Sequence, residues 1–437
     1  MKVTIVLSLI LLALSSSGAI MSISADGLTE NVALLVLNPQ YNILRSCLEQ
    51  YVADVASMSN FNVIIVNGSW INHVEVRETL QYLYESLNIV GCLLVGEIPW
   101  AYYNASSRYG ESPFPTDLYY MDLNGQWIDE DSDEFFDDRV DTDGVEIWVS
   151  RIRPPIDDID LFPSFFEKDH QYRNGTINVP KACLMFQEQE EKQGEEWGRR
   201  RMEHLRPLYN QEDITLFCLL NETSKENYVS ALKNPYELVW INAHGGPTRQ
   251  QFLQPDGTYV WFDHNDAKNV EKGGIFHLVH SCESGPFDTT NYLSGWHLFG
   301  EGYTLGCLAS TTIWESIDHD LFIEETSRSY VGRAFLSIIQ VADSKAKYDP
   351  ITARNLYYGA TLQGDPLLFL GQIIPSFLST DLNQDGIVNI IDISIVAMAF
   401  GTKEGDENYN VLADFDENSE VNILDISIVA MEFGKTV

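Results

Sequence analysis

The sequence predicts an α/β fold: a mostly parallel sheet built in two related subdomains, followed by a small helical unit. Three patterns predict it. From Asn31 onward, short apolar runs alternate with amphipathic stretches, the alternation that builds strands and crossover helices around one sheet. Both halves of that region begin strand, helix, strand, helix, strand. Beyond Ile374-Pro375-Ser376 the composition changes, and one pattern occurs twice at an offset of 33 residues.

In the first half, residues 26–180, the runs 32–37, 62–66 and 90–95 read as strands, separated by helical patterns at 40–57 and 73–87. The run 145–150 reads as a further strand, and 157–172 as a helix that stops before the turn signal Asn174-Gly175. In the second half, residues 181–373, strands are expected near 182–186, 214–220, 237–243, 274–280 and 303–309, with helices near 195–206, 224–233 and 326–341. The third strand of the first half ends Leu94-Val95-Gly96-Glu97, where the second half has Asn242-Ala243-His244-Gly245. Two related units, one of them carrying chemistry, account for that correspondence. Residues 377–437 form the separate C-terminal unit.

At 437 residues the chain exceeds one ordinary core, and its 45% hydrophobic and 12% aromatic content is that of a globular protein. Met1-Lys2-Val3, the apolar run to Leu14 and the small residues Ser15 to Ala19 read as an export signal over 1–25, cleaved after Ala19 or Ala25. That run is too short to cross a bilayer, so the mature chain is expected outside the cell, free or held at the cell surface, with no membrane span. A formal charge of −37 excludes nucleic acid and anionic membranes as partners, because both attract clustered Lys and Arg. The six cysteines show neither paired metal spacing nor the density of a disulfide scaffold. Cys92, Cys183, Cys218 and Cys307 lie in apolar runs and read as small buried hydrophobes.

Two strand-like runs end on reactive side chains: Glu237-Leu-Val-Trp-Ile-Asn-Ala-His244-Gly245-Gly246 and Gly274-Ile-Phe-His-Leu-Val-His-Ser-Cys282-Glu283-Ser284-Gly285. Thiol chemistry needs a sulfur nucleophile and a base or acid held close to it. The 38 residues from His244 to Cys282 fit a strand, a crossover and a second parallel strand. Neighbouring strands would set the two backbones about 4.8 Å apart at one sheet edge. Such edges are where open α/β sheets bind ligands. A cysteine hydrolase site follows, and three classes stand open: an endopeptidase acting on protein or peptide, an inactive binding or scaffold component, and a non-peptidase hydrolase or transferase acting on amides. His264, His277, His280, His297 and His319 show no zinc-ligand spacing and are assigned no metal.

The repeats at 381–400 and 414–433 carry oxygen donors at the positions of a 12-residue calcium loop. The first loop offers Asp381, Asn383, Asp385, the Ile387 carbonyl, Asn389 and Asp392, with Gly386 at the sharp bend. The second offers Asp414, Asp416, Asn418, the Glu420 carbonyl, Asn422 and Asp425, with Ser419 in place of the glycine, which predicts a weaker or more strained site. Two Ca2+ ions are expected. The carboxylate-rich stretch Asp129 to Asp143 reads either as another calcium site or as an unligated acidic loop.

With aspartate at loop position 12 and a helix after each loop, residues 377–437 resemble the dockerin module, which implies a cohesin-like protein partner. Positions 10 and 11 are Ile390-Ile391 and Ile423-Leu424, either a hydrophobic contact patch or a surface packed on the protein's own catalytic part. The His-Gly and Cys motifs resemble the caspase-like clan of cysteine peptidases, and within it the gingipain family. Further motifs carry that likeness across about residues 30–370: Leu93-Leu94-Val95-Gly96-Glu97, Pro115-Thr116-Asp117-Leu118-Tyr119-Tyr120, Trp148-Val149-Ser150-Arg151-Ile152, Cys282 to Phe287, Ala309-Ser310-Thr311 and Gly364-Asp365-Pro366-Leu367-Leu368. The resemblance implies a three-layer α/β/α fold in which Cys282 forms a thioester and His244 protonates the leaving amine. It implies backbone N–H groups of Gly245 and Cys282 at the oxyanion. Glu188 would orient His244, and Glu195 or Glu196 would receive an Arg or Lys side chain of the substrate, against the alternative of a solvated acidic helix start.

Overall fold

The computed structural model describes residues 29–59, 61–107, 110–140, 144–188, 194–313, 318–346 and 357–371, and most of 380–434. The chain divides into a large unit that ends at Gly371 and a small one that begins at Gln372. The expected export signal, residues 1–25, lies outside the described residues.

One ten-stranded sheet organises the large unit. Its strands are β1 Glu30–Leu37, β2 Phe61–Gly68, β3 Ile89–Val95, β4 Trp148–Ile152, β5 Cys183–Gln187, β6 Ile214–Phe217, β7 Tyr236–Asn242, β8 Gly274–His280, β9 Gly306–Ser310 and β10 Ala360–Gly364. Their spatial order is β6-β5-β7-β8-β9-β10-β4-β3-β1-β2. Neighbours pair parallel except β9 and β10, which pair antiparallel. The sheet is thus two parallel blocks running in opposite senses, joined into one surface. Strands β4, β5, β9 and β10 are buried at every position. Helices cover both faces of such a sheet, which is why its strands read as apolar runs.

Helix His73–Leu87 and strand β8 fall where the sequence puts them. The helix has clear local reasons: the Asn72 side chain accepts from Glu75 N at 3.0 Å, the Glu75 carboxylate accepts from Ile71 N at 3.0 Å, and Asn88 closes the last turn with φ 51°. The expected helix 326–341 is instead two, His319–Thr326 and Val331–Ala346, broken between Ser327 and Tyr330. Strand β10 was hidden by its composition. Its polar Gln363 is wholly buried, donating to Gly285 O at 2.8 Å and accepting from Ser294 Oγ at 2.7 Å, so the groups that satisfy it come from the segment after Cys282.

The sequence motifs of the first half meet around one guanidinium. Arg151 Nε and Nη2 donate to the two oxygens of Asp117 at 2.9 and 2.6 Å, Nη1 donates to Ile98 O at 2.8 Å, and the guanidinium lies 4.5 Å from the Phe287 ring centroid. Next to it Arg153 pairs with Glu97 at 3.0 Å and donates to Phe287 O. The stretch 282–287 is thereby fastened to β4 and to the loop after β3. At the far end of β10, Gly364 (φ 89°) turns where a Cβ would lie 2.0 Å from Leu305 O. Asp365, just beyond, accepts from Tyr51 Oη at 2.8 Å and from Arg173.

The small unit holds helices Ile390–Ala399 and Ile423–Met431 around Val388, Val396, Ala399, Ala413, Val421 and Val429. Val388 and Val421, and Val396 and Val429, are equivalent positions of the two repeats, as the internal duplication requires.

Removing one partner of a buried bidentate pair leaves an uncompensated charge in the core. Asp117→Ala is therefore expected to lower the unfolding free energy by about 3–5 kcal/mol, read by urea denaturation of the large unit.

Candidate active site

His244 and Cys282 follow neighbouring strands in matching register. Asn242 of β7 pairs with His280 of β8, and each reactive residue stands two positions beyond that pair. Both turns open at the edge where the β5–β9 block ends. They also touch: a Cβ on Gly245 would lie 2.1 Å from Ser281 Oγ and 2.9 Å from Arg249 O, so nothing larger than glycine lets the histidine turn reach the cysteine turn. His244 is exposed and Cys282 half-buried, and all six cysteines are free thiols.

Backbone hydrogen bonds hold both turns. His244 O accepts from Gln251 N at 2.7 Å, Ala243 N donates to His280 O at 3.1 Å, and Pro247 O accepts from Leu293 N at 2.8 Å. After Cys282, Glu283 N donates to Thr312 O and Gly285 N to Ser310 O, both at 2.8 Å. Glu283 takes φ 50°, a left-handed conformation that costs a non-glycine residue about 1–2 kcal/mol and sharpens the turn that presents the thiol. Three of the other cysteines are different in kind. Burial pushes the thiols of Cys92, Cys183 and Cys307 far up, which makes them inert packing groups.

Glu188, at the end of β5, is buried. Its N–H donates to Asn242 O and its carboxylate accepts from Leu253 N, both at 2.9 Å, so it clamps the hairpin Arg249–Leu253/Tyr259–Asp263 against β7. Glu195 and Glu196 lie in the first turn of helix Gly194–His204 and are exposed. Glu195 is engaged by Arg199 at 3.0 Å. Helix packing explains their position: a Cβ on Gly198 would lie 2.6 Å from Cys218 Cβ, so the Gly194/Gly198 side faces the sheet and the two carboxylates do not.

The structure adds groups that no spacing in the sequence announced. His280 Nδ1 lies 3.3 Å from His319 Nδ1, which requires one ring to donate and the other to accept. Burial, with Arg201 and His244 adding to it, pushes His280 down to about 3; burial and His280 push His319 well below the ordinary imidazole range. Both rings are neutral near pH 7. Gln187 Oε1 accepts from Asn242 Nδ2 at 2.8 Å and from Arg201, whose guanidinium lies 5.6 Å from the Trp240 ring. Of these only His280 lies close in sequence to a reactive residue, at the end of β8 and two positions before Cys282.

In the small unit, Asp381, Asn383, Asp385 and Asp416 lie outside the described residues. The remaining donors are described, and Asn389 and Asp392 of the first loop match Asn422 and Asp425 of the second. Asn389 N donates to Asp392 and Asn422 N to Asp425, each at 2.7 Å, and both aspartates are wholly buried. Asp414 accepts from Asn418 N and Ser419 N at 3.1 and 2.8 Å. Ser419 has φ 64°, the strained bend expected where the first loop has glycine. These hard oxygen donors fit Ca2+. In the large unit, carboxylate oxygens of Asp129, Asp131 and Asp137 gather within 4.8 Å of one another on an exposed loop.

The geometry has counterparts among known proteins. The dockerin type I domain family matches residues 379–433. The solved structure of the Arg-specific cysteine proteinase gingipain R is similar over 80% of this chain and 81% of that one, at 14% identity and a TM-score of 0.55. No curated protein sequence matches. The large unit therefore has a gingipain-like fold, an α/β sheet flanked by helices, and the tail has a dockerin region whose family implies a cohesin-type partner. Among the described residues no helix is long and apolar enough to cross a membrane.

The contact at Gly245 is open to a direct check. Gly245→Ala is expected to cost about 1–3 kcal/mol through overpacking, whereas Gly246→Ala, whose Cβ would meet nothing within 4 Å, costs far less; thermal unfolding of the two variants compares them.

Proposed function

We propose that the large unit is an exported cysteine endopeptidase in which Cys282 is the nucleophile and His244 the acid and base. The observation that carries this reading is the matched register of the two turns, which brings an imidazole-bearing and a thiol-bearing backbone to one edge with glycine between them. Cys282 as thiolate attacks the scissile carbonyl carbon. The oxyanion that forms is held by the N–H groups of Gly245 and Cys282. His244 gives a proton to the amine nitrogen as the C–N bond breaks, which leaves a thioester on Cys282. Water, giving its proton to His244, then attacks the thioester carbonyl, the C–S bond breaks, and the carboxylic product leaves with Cys282 back as thiolate and His244 protonated. Glu188 is a positioning residue here: it fixes the hairpin that holds the His244 carbonyl. The gingipain-like fold supports the reading. On specificity two sets of groups of helix Gly194–His204 compete: Glu195 and Glu196, which would favour Arg or Lys, and the cation Arg201, which would favour an acidic side chain.

The dockerin region is read as the attachment point, binding two Ca2+ through Asp381, Asn383, Asp385, Ile387, Asn389 and Asp392, and through Asp414, Asp416, Asn418, Glu420, Asn422 and Asp425. The cohesin-like partner would meet the exposed pairs Ile390-Ile391 and Ile423-Leu424. That exposed apolar duplication also favours the second reading, an inactive assembly component in which the tail carries the role.

Turnover of fluorogenic peptides decides between them. Cys282→Ala is expected to abolish hydrolysis and His244→Ala to lower kcat by at least about 1,000-fold; no turnover and no labelling of Cys282 by a thiol-reactive peptide inhibitor supports the assembly role. Chelation is expected to remove the helical circular-dichroism signal of residues 377–437 and added Ca2+ to restore it, because ligand loops of this kind fold with their ion.

A further inference from the structure

Arginines buried in this protein hold carboxylates. Arg139 pairs with Asp122 and Asp343, Arg151 with Asp117, and Arg173 with Asp169 and Asp365. Arg201 breaks the pattern. It is half-buried beneath the candidate site, yet among the described residues it makes no ion pair, and its one hydrogen bond goes to the neutral Gln187 amide. The carboxylate that reaches it electrostatically, Asp320, is paired with His204 at 3.3 Å.

The position of this cation ties it to the two reactive turns. Gln187, Asn242 and His280 are register partners across β5, β7 and β8, so their side chains share one face of the sheet. Arg201 covers that face: it bonds Gln187, lies over Trp240 and acts electrostatically on His280, which in turn feels His244. The neighbouring His280 and His319 rings are neutral, so they give its charge no partner. Burial pushes the Arg201 guanidinium down from the usual arginine range against the pull of Asp320, the signature of a desolvated cation that lacks a counter-ion.

Resting on the cysteine peptidase reading, we propose that Arg201 is a specificity-determining residue that receives a substrate carboxylate, so that cleavage favours Asp or Glu at the residue whose carbonyl Cys282 attacks. A planar guanidinium with unused N–H donors matches a carboxylate in two parallel hydrogen bonds. Binding such a side chain completes the pairing that Arg139, Arg151 and Arg173 already have. An uncharged isostere leaves the guanidinium unpaired, which is the condition under which polar sites discriminate steeply.

The test uses the full-length chain and six fluorogenic peptides that differ only at that residue: Asp, Glu, Asn, Gln, Arg and Lys. For Asp or Glu, kcat/KM is expected to exceed that of the matching amide by about 100-fold. Arg201→Gln should collapse that ratio to near one, and Arg201→Glu should move the preference to Arg and Lys. Each ratio is taken within one protein, so partial loss of folded material cancels, and the wild-type panel alone decides if a variant fails to fold. Cleavage that favours Arg, Lys or the amides overturns the acidic preference and leaves the peptidase reading standing. An absence of cleavage throughout, with Cys282 unlabelled by peptide inhibitors, overturns both.

Discussion

The large unit depends on the ion pair between Arg151 and Asp117. Two carboxylate oxygens, a backbone carbonyl and an aromatic face surround one buried guanidinium. Three separate stretches of sequence, around residues 98, 117 and 287, are fixed by that one group. A charge so deep in the core is tolerated only when each of its donors is satisfied, so the geometry of the whole cluster is specified together. Because Phe287 belongs to the segment that starts at Cys282, a pair in the first half of the chain sets the path of the candidate nucleophile's loop in the second.

The opposed sense of the two strand blocks has a related consequence. With β9 and β10 antiparallel, the carboxyl ends of β7 and β8 open at the edge opposite to those of β1 and β3. The first block therefore contributes support and no reactive ends to the edge where His244 and Cys282 stand. Its own strand end, Val95-Gly96-Glu97, is used in structure: Glu97 pairs with Arg153, which donates to Phe287 O. Two halves with the same order of elements thus carry different duties, and the linking groups are side chains that bridge the junction, such as Gln363 between Gly285 and Ser294.

Legibility in the sequence followed the way each element is stabilised. Strands buried on both faces, such as β5 and β8, announce themselves as apolar runs, and helix His73–Leu87 carries its own caps. Strand β10 did not, because its buried Gln363 is polar and is satisfied by residues distant in the chain, Gly285 and Ser294. The reactive pair was legible because each member ends an apolar run. His319, which meets His280, and Arg201, which lies over Trp240, were not legible: nothing in their local sequence points to a partner 39 residues away in each case.

By itself the sequence determined the alternating α/β plan, the duplicated oxygen-donor loops and the two strand ends that carry imidazole and thiol. All three are periodic or local properties, written in spacings that hydrophobicity and loop geometry enforce. Only the tertiary structure decided that Gly245 lets two turns touch, that Glu195 is engaged by Arg199, and that Arg201 is left without a carboxylate. Those outcomes depend on which groups meet across the sheet once water is excluded, and the cost of leaving a buried charge or donor unpaired acts only between residues that folding has brought together.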